Sequence, residues 1–388
     1  MSRNLIFAAI FTLILVIYGL MNYYIGLRGW QAVGRTLPWL NVRVYWTLLW
    51  LAAYLYIIAR FLRNMVPLAA ERWLVYVGAY WLAAFYYLFL IVLLLDLLRL
   101  LDRWLKFIPG PVKASPALLG WGVIALVAGL LAYGTWNARN PVVTHYDINI
   151  NKRAGQMKEL HIVMASDLHL GLIMNNRRLE RFVSMARELN PDMVLLPGDI
   201  VDESVRPFIE EKMAKTFRKL NPPLGIYAVP GNHEHFGEDS NETFRYLNEA
   251  GIQVLVDRYV KVNDSFYIVG RDDTGHGRKS RKALAEVLKD VDRSLPLIML
   301  DHNPSRPSLQ EAAEQGIDLQ LSGHTHKGQF IFNNLITGRI YEKDWGYLRK
   351  GSYQLIVSNG FGTWGPPIRI GNRPEIVDIV IRFSPTKA

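Results

Sequence analysis

No cysteine occurs among the 388 residues, and that one absence removes several chemistries together. A disulfide framework, a thiolate nucleophile and a sulfur-ligated zinc or iron–sulfur site are all excluded, while the compartment stays open. Acidic residues are nearly missing from the first third. Residues 1–140 carry 12 Lys or Arg against only Glu71, Asp96 and Asp102, whereas the rest of the chain carries 32 basic and 31 acidic residues. Of the formal net charge of +10, +9 therefore lies in that first third. These basic residues sit between long apolar runs, so they read as membrane helix ends, where Lys and Arg meet lipid headgroups. A nucleic-acid-binding surface is not what makes the chain basic.

Four segments are apolar for long enough to cross a bilayer, which takes about 20 helical residues: roughly Leu5 to Leu27, Val44 to Leu62, Trp73 to Leu98 and Pro116 to Trp136. The first contains no charge at all and is too long for the apolar core of a cleaved signal peptide. Trp and Tyr crowd the segment ends, as in interfacial belts. Asp96 and Arg60 lie inside apolar runs but near their ends, within reach of the interface, so they carry little argument for transport. Basic residues of the first and third loops outnumber those of the amino terminus and second loop by seven to four. That places loops one and three in the cytoplasm and the carboxy-terminal part outside it. Adding Arg139, Lys152 and Arg153 evens the count.

From about Val142 the pattern changes to short apolar runs alternating with amphipathic helices. Leu160 to Ala165, Met193 to Leu196, Ile226 to Val229, Phe266 to Val269, Leu297 to Leu300 and Leu319 to Leu321 read as strands buried on both faces. The expected organisation is a four-helix all-α transmembrane region (1–140), a connector (141–158) and an α/β domain (159–388).

Nearly every one of those strands runs into polar residues at its carboxyl end. Asp167 and His169 lie in SDLHLG, Asp199 in PGDIVD, Asn232 and His233 in PGNHEH, His302 in LDHNP, and His324 and His326 in SGHTH. Open α/β sheets place ligands at the carboxyl ends of their strands, so five segments converge on one rim. Oxygen and imidazole donors without sulfur suit Mn, Fe, Zn or Co. Seven donors exceed the needs of one four- or five-coordinate ion but fit two divalent ions that share a carboxylate, the arrangement that polarises a phosphoryl group and activates water. Glycine beside Asp199, Asn232 and His324 is expected to let the backbone turn sharply at the strand ends. Alone, each motif has a plain structural alternative such as an Asx turn; together, in this order, they read as one metal site.

D-x-H, G-D, G-N-H-E, a lone His after an apolar strand and G-H-x-H, in that order, resemble the calcineurin-like metallophosphoesterases, with the match running from about Leu160 to Phe383. The ending VSNGFGTWGPPIRIGNRPEI resembles the membrane-associated branch, which includes UDP-diacylglucosamine hydrolase-like and transmembrane metallophosphoesterase-domain proteins. The resemblance implies a two-sheet α/β sandwich and two divalent ions, Mn²⁺ first, with Fe, Zn or Co as alternatives. It implies that Asp167, His169 and His326 hold one ion, that Asn232, His302 and His324 hold the other, and that Asp199 bridges them. His233 is then the non-ligand imidazole near the leaving group, and a metal-activated hydroxide attacks phosphorus. It also implies an integral protein of a bacterial plasma membrane.

Substrate is less legible. Only a short stretch separates the last apolar run from the first strand, which favours a lipid-linked phosphoester or pyrophosphate at the bilayer surface. The alternatives are a tethered hydrolase of soluble nucleotides or other phosphoesters, and a non-catalytic membrane sensor of phosphorylated ligands. His235, Arg271 and His276 are candidate substrate contacts, the last two within the basic segment Arg271 to Lys282, which is read as a lid or lipid contact against a plain surface loop. Phe361 and Trp364 are read as packing residues or pocket walls. Oligomeric state is not legible.

Overall fold

A computed structural model describes residues 3–236, 240–273 and 281–384. The chain divides into two compact units, one of residues 1–135 with 365–367, the other of residues 136–364 with 368–388.

The first unit is built on helices Arg3–Ala32, Val42–Phe61, Leu68–Leu105 and Pro116–Ala138. All four are long and apolar enough to cross a membrane. Leu68–Leu105 has 38 residues, or about 57 Å at 1.5 Å per residue, nearly twice a ~30 Å hydrocarbon core. It continues past the apolar run through Arg99, Asp102 and Arg103. Asp96 is held within the unit: Tyr24 Oη donates to it at 2.6 Å, Arg28 Nε at 2.8 Å and Arg99 at 3.1 Å. Arg60 donates to Tyr56 Oη at 2.7 Å.

The second unit is two mixed six-stranded sheets. Its strands are β1 (Val142–Ile150), β2 (Glu159–Met164), β3 (Met193–Pro197), β4 (Ile226–Val229), β5 (Ile252–Val254), β6 (Arg258–Val262), β7 (Phe266–Gly270), β8 (Leu297–Leu300), β9 (Leu319–Ser322), β10 (Gly346–Lys350), β11 (Tyr353–Val357) and β12 (Glu375–Phe383). One sheet has the order β1-β12-β2-β3-β4-β5 and the other β10-β11-β9-β8-β7-β6. β2 to β5 are parallel, as are β7, β8, β9 and β11, with β12 and the edges β6 and β10 antiparallel to a neighbour.

Alternation along β2 explains the sandwich, because successive side chains point to opposite faces. Ile162 and Met164 join Leu195, Ile298 and Leu321 between the sheets. Val163 joins Leu179, Phe182 and Ala186 of the outer helix Asn176–Glu188. Both faces are thus buried, and the strands read as unbroken apolar runs. Residues 142–150, expected within a connector, instead form β1, which pairs with β12 in parallel over nine positions. Tyr146 is only partly buried and His145 exposed, while Ile148 and Ile150 enter the inter-sheet core, and that half-exposed pattern hid the strand. The same mixed pattern hid β6 and β10.

Candidate metal centre

The rim expected from the sequence exists: the loops after β2, β3, β4, β8 and β9 meet there. Asp167, His169 and His326 bring donor atoms within 4.8 Å of one another, and Asp199, His302 and His324 do the same. Asp199 Oδ2 stands between the groups, 3.7 Å from His169 Nε2 and 3.2 Å from His302 Nε2. Asn232 Oδ1 lies 2.8 Å from His324 Nδ1 and 3.2 Å from His302 Nε2. All of these except Asn232 and His324 are buried.

The spacing fits bound cations. His169 Nε2 and His326 Nε2 face each other at 3.0 Å, and His302 Nε2 lies 3.2 Å from His324 Nδ1. One proton serves only one such contact, whereas a cation accepts lone pairs from several donors. His302 Nδ1 lies 2.9 Å from the Pro197 carbonyl; a proton donated there fixes the tautomer that turns the Nε2 lone pair inward.

Charge is concentrated accordingly. Burial alone would raise the Asp199 carboxyl, but the His302, His233 and His169 rings hold it well below the usual carboxylate range. Burial pulls His302 down, yet the Asp199 charge raises it well above an ordinary imidazole; a metal ion would displace that proton. His326 is pushed well below its usual value, by burial first and then by His169.

The backbone is unusual at these same residues. Asp167, His169, Asp199, His324 and His326 all have positive φ, between 46° and 72°, a conformation that is rare outside glycine and clusters at functional sites. Two of the three glycines act differently from expectation. Gly198 does take φ +84, but Gly231 and Gly323 do not have positive φ. Their role is space: a Cβ on Gly231 would lie 2.2 Å from Asp199 Oδ1, and one on Gly323 2.3 Å from Asp167 Oδ2.

His233 is buried beside the centre, its ring 4.5 Å from that of His169. Its Nδ1 is 2.9 Å from Asp202 Oδ1, which directs the Nε2 edge away from that carboxylate. Burial pulls the imidazole down, but the Asp202 hydrogen bond and the Asp199 and Asp202 charges raise it to about 9.

Of the substrate contacts read from the sequence, His235 Nε2 is occupied by Asp272 Oδ1 at 2.7 Å. Arg271 is 1% exposed and sits 3.3 Å from Asp257 and 3.4 Å from Glu311. Buried inside that charged network, it is removed from the surface where a substrate would meet it. His276, with the rest of 274–280, lies outside the described residues. Phe361 packs in the core, whereas Trp364 is exposed and lines a cavity of 350 Å³ with His324 and His326.

Residues 160–328 match the family model described as calcineurin-like phosphoesterase. An uncharacterized metallophosphoesterase of Aquifex aeolicus is 37% identical over 230 residues, 58% of this chain and 85% of that protein. The chain belongs to the calcineurin-like metallophosphoesterases. A Danio rerio protein named transmembrane protein with metallophosphoesterase domain is 33% identical over 67% of this chain and 62% of its own length, so the chain spans under two thirds of that relative. A dimetal phosphatase structure from Danio rerio aligns over 59% of this chain and all of its own, at 13% identity and TM-score 0.37.

As a metallophosphoesterase the chain has three supporting residues that the sequence reading left without a role. Asp202 orients His233, and its position three residues after Asp199 was the available signal. Glu234 accepts from the backbone N–H groups of Asp199, Ile200, Val201 and Gly231 at 2.6 to 3.1 Å, tying the second motif to the third. Arg369 is fully buried, donates to the Gly362 carbonyl at 2.6 Å and lies 3.2 Å from His326 Nδ1. Nothing in its sequence context signalled this contact.

Proposed function

We propose that this chain is a membrane-anchored, two-metal phosphoesterase acting on a phosphorylated lipid or lipid-linked pyrophosphate. Asp167, His169 and His326 would hold one divalent ion, Mn²⁺ first, and Asn232, His302 and His324 the other, with Asp199 shared. The observation that carries the reading is the convergence of seven oxygen and nitrogen donors from five strand ends, with imidazole nitrogens facing each other at 3.0 and 3.2 Å. Such a pair of cations polarises a phosphoryl group and lowers the pKa of water toward neutrality. His233, aligned by Asp202, supplies a proton at Nε2 to the leaving oxygen, a contribution of about 100- to 10,000-fold for general acids.

The lipid class is supported by a surface beside the centre. Directly after the G-H-T-H motif, Ile331 and Phe332 lead into the helix Asn333–Ile340, on which Leu335, Ile336 and Ile340 are exposed. Ile336 and Trp364 line the same 350 Å³ cavity as His324 and His326. An aliphatic chain fits that wall, and a soluble nucleotide leaves it in water.

The test uses purified full-length protein with Mn²⁺, and compares hydrolysis of a lipid-linked pyrophosphate, a phosphatidic acid and a soluble nucleotide before and after chelation. Metal-dependent turnover favouring either lipid supports the proposal. Equal rates on the nucleotide remove the lipid class alone, and no turnover with both ions bound leaves a phospholigand sensor.

A further inference from the structure

We infer that the helical unit contains a separate binding site for one anionic membrane lipid. A cavity of 750 Å³ opens among all four long helices, at the end that bears residues 34–41 and 106–115. Ligand sites typically enclose about 300–1,000 Å³, with mostly apolar walls and a few convergent polar groups. Here Leu48, Leu88, Val92, Leu119 and Val123 supply apolar wall, and the charged lining is Arg28, Arg99, Lys113 and Asp96.

The arrangement of those charges selects the headgroup. Asp96 takes Arg28 Nε on one carboxylate oxygen at 2.8 Å and Arg99 on the other at 3.1 Å. The carboxylate thereby holds two guanidinium groups side by side without cancelling both. Lys113 Nζ lies 2.5 Å from Asp102; with that acid counted as well, the group remains cationic by one charge. The guanidinium N–H groups that Asp96 and Gln31 leave open are donors that phosphate oxygens accept, which makes a phosphate-bearing headgroup the complementary ligand.

A lipid is the occupant because both halves of the cavity must be filled. Free phosphate would satisfy the cations and leave the leucine and valine wall bare. Leu48 and Leu94, on two of these helices, are more than half exposed, and for helices of membrane-spanning length the surrounding medium is lipid, so an acyl chain enters sideways. None of these residues belongs to the metal centre, so the site stands or falls apart from the phosphoesterase reading.

Native mass spectrometry of the full-length protein released from detergent tests it, with chain-matched phosphatidylglycerol, phosphatidylcholine and inorganic phosphate as probes. One retained phosphatidylglycerol per chain is expected, with the preference over phosphatidylcholine falling by about fivefold for each cation removed in R28Q and K113Q. Val123→Trp, which fills the apolar end and keeps every charge, should lower retention of both lipids. Unchanged helix content by circular dichroism and unchanged elution on size exclusion in each variant show that the fold is retained. Equal retention of the two lipids by the wild type, tight binding of phosphate alone, or a Val123→Trp variant that binds as well as the wild type would each overturn the site.

Discussion

The two units solve the same burial problem in opposite ways. In the α/β unit the large apolar side chains go inside: Leu160, Phe182, Leu195, Ile298 and Leu321 are at 0% exposure. In the helical unit Leu13, Leu20, Leu48 and Leu101 are each more than half exposed, while Asn22 is fully buried and Ala53, Ala59 and Ala83 are at 1% or less. Small residues at helix contacts and large ones outside are what packing looks like where the solvent is hydrocarbon and provides no hydrophobic drive between helices. Glycine follows the same division. Gly78 lets the helices Val42–Phe61 and Leu68–Leu105 approach, its imagined Cβ lying 2.4 Å from the Tyr56 backbone nitrogen, whereas Gly231 and Gly323 keep space around carboxylates. One residue type thus serves backbone packing in one unit and chemistry in the other.

That contrast can be broken most strongly at Asp199. Asp199→Ala removes the donor common to both clusters and should lower bound metal and cut turnover by more than the roughly 100-fold upper cost of losing an outer partner. Helix content should stay unchanged, and elemental analysis with circular dichroism reads both. Next comes His233→Ala, expected to keep the metals while turnover falls about 100- to 10,000-fold; loss of one ion would make His233 a ligand instead. Asp202→Asn leaves that imidazole in place but misaligned, and should cost about 10- to 100-fold in turnover at unchanged metal content. The smallest effects sharpen the glycine comparison. Gly231→Ala forces a methyl group against Asp199 and should weaken metal binding on the order of tenfold, by titration of the apo protein. Gly122→Ala, on the helix Pro116–Ala138 with nothing within 4 Å of the added carbon, should be neutral or stabilising by up to about 1 kcal/mol in thermal unfolding.

Legibility followed burial with one exception, β11, which is buried at every position yet was not read from the sequence. The six strands read from the sequence lie buried between a neighbour on each side, so their apolar runs are continuous. β1, β6 and β10 occupy sheet edges with mixed exposure, and β12, although central, carries Glu375, Asp378 and Arg382 in its run. Its two acids are satisfied by partners distant in sequence: Thr144 and Trp345 donate to Glu375, and His145 pairs with Asp378. No local pattern encodes such pairings. The seven donors were legible because each directly follows an apolar strand. Arg369 was not, since its contacts with Gly362 and His326 exist only once the chain has closed on itself. Arg271 shows the converse, a basic residue in a basic stretch that the fold buries against Asp257 and Glu311.

Composition and periodicity alone determined that one third of this chain suits lipid, that the remainder is layered α/β, and that its histidines and carboxylates stand at strand ends. These are local properties, set by side-chain transfer energies and by the two-residue repeat of a strand. Only the tertiary structure decided that β1 closes the sheet against β12, that Asp202 aligns His233, and that Arg28 and Arg99 share Asp96 across two helices. Each depends on groups far apart in sequence reaching hydrogen-bond distance, and that distance is set by packing.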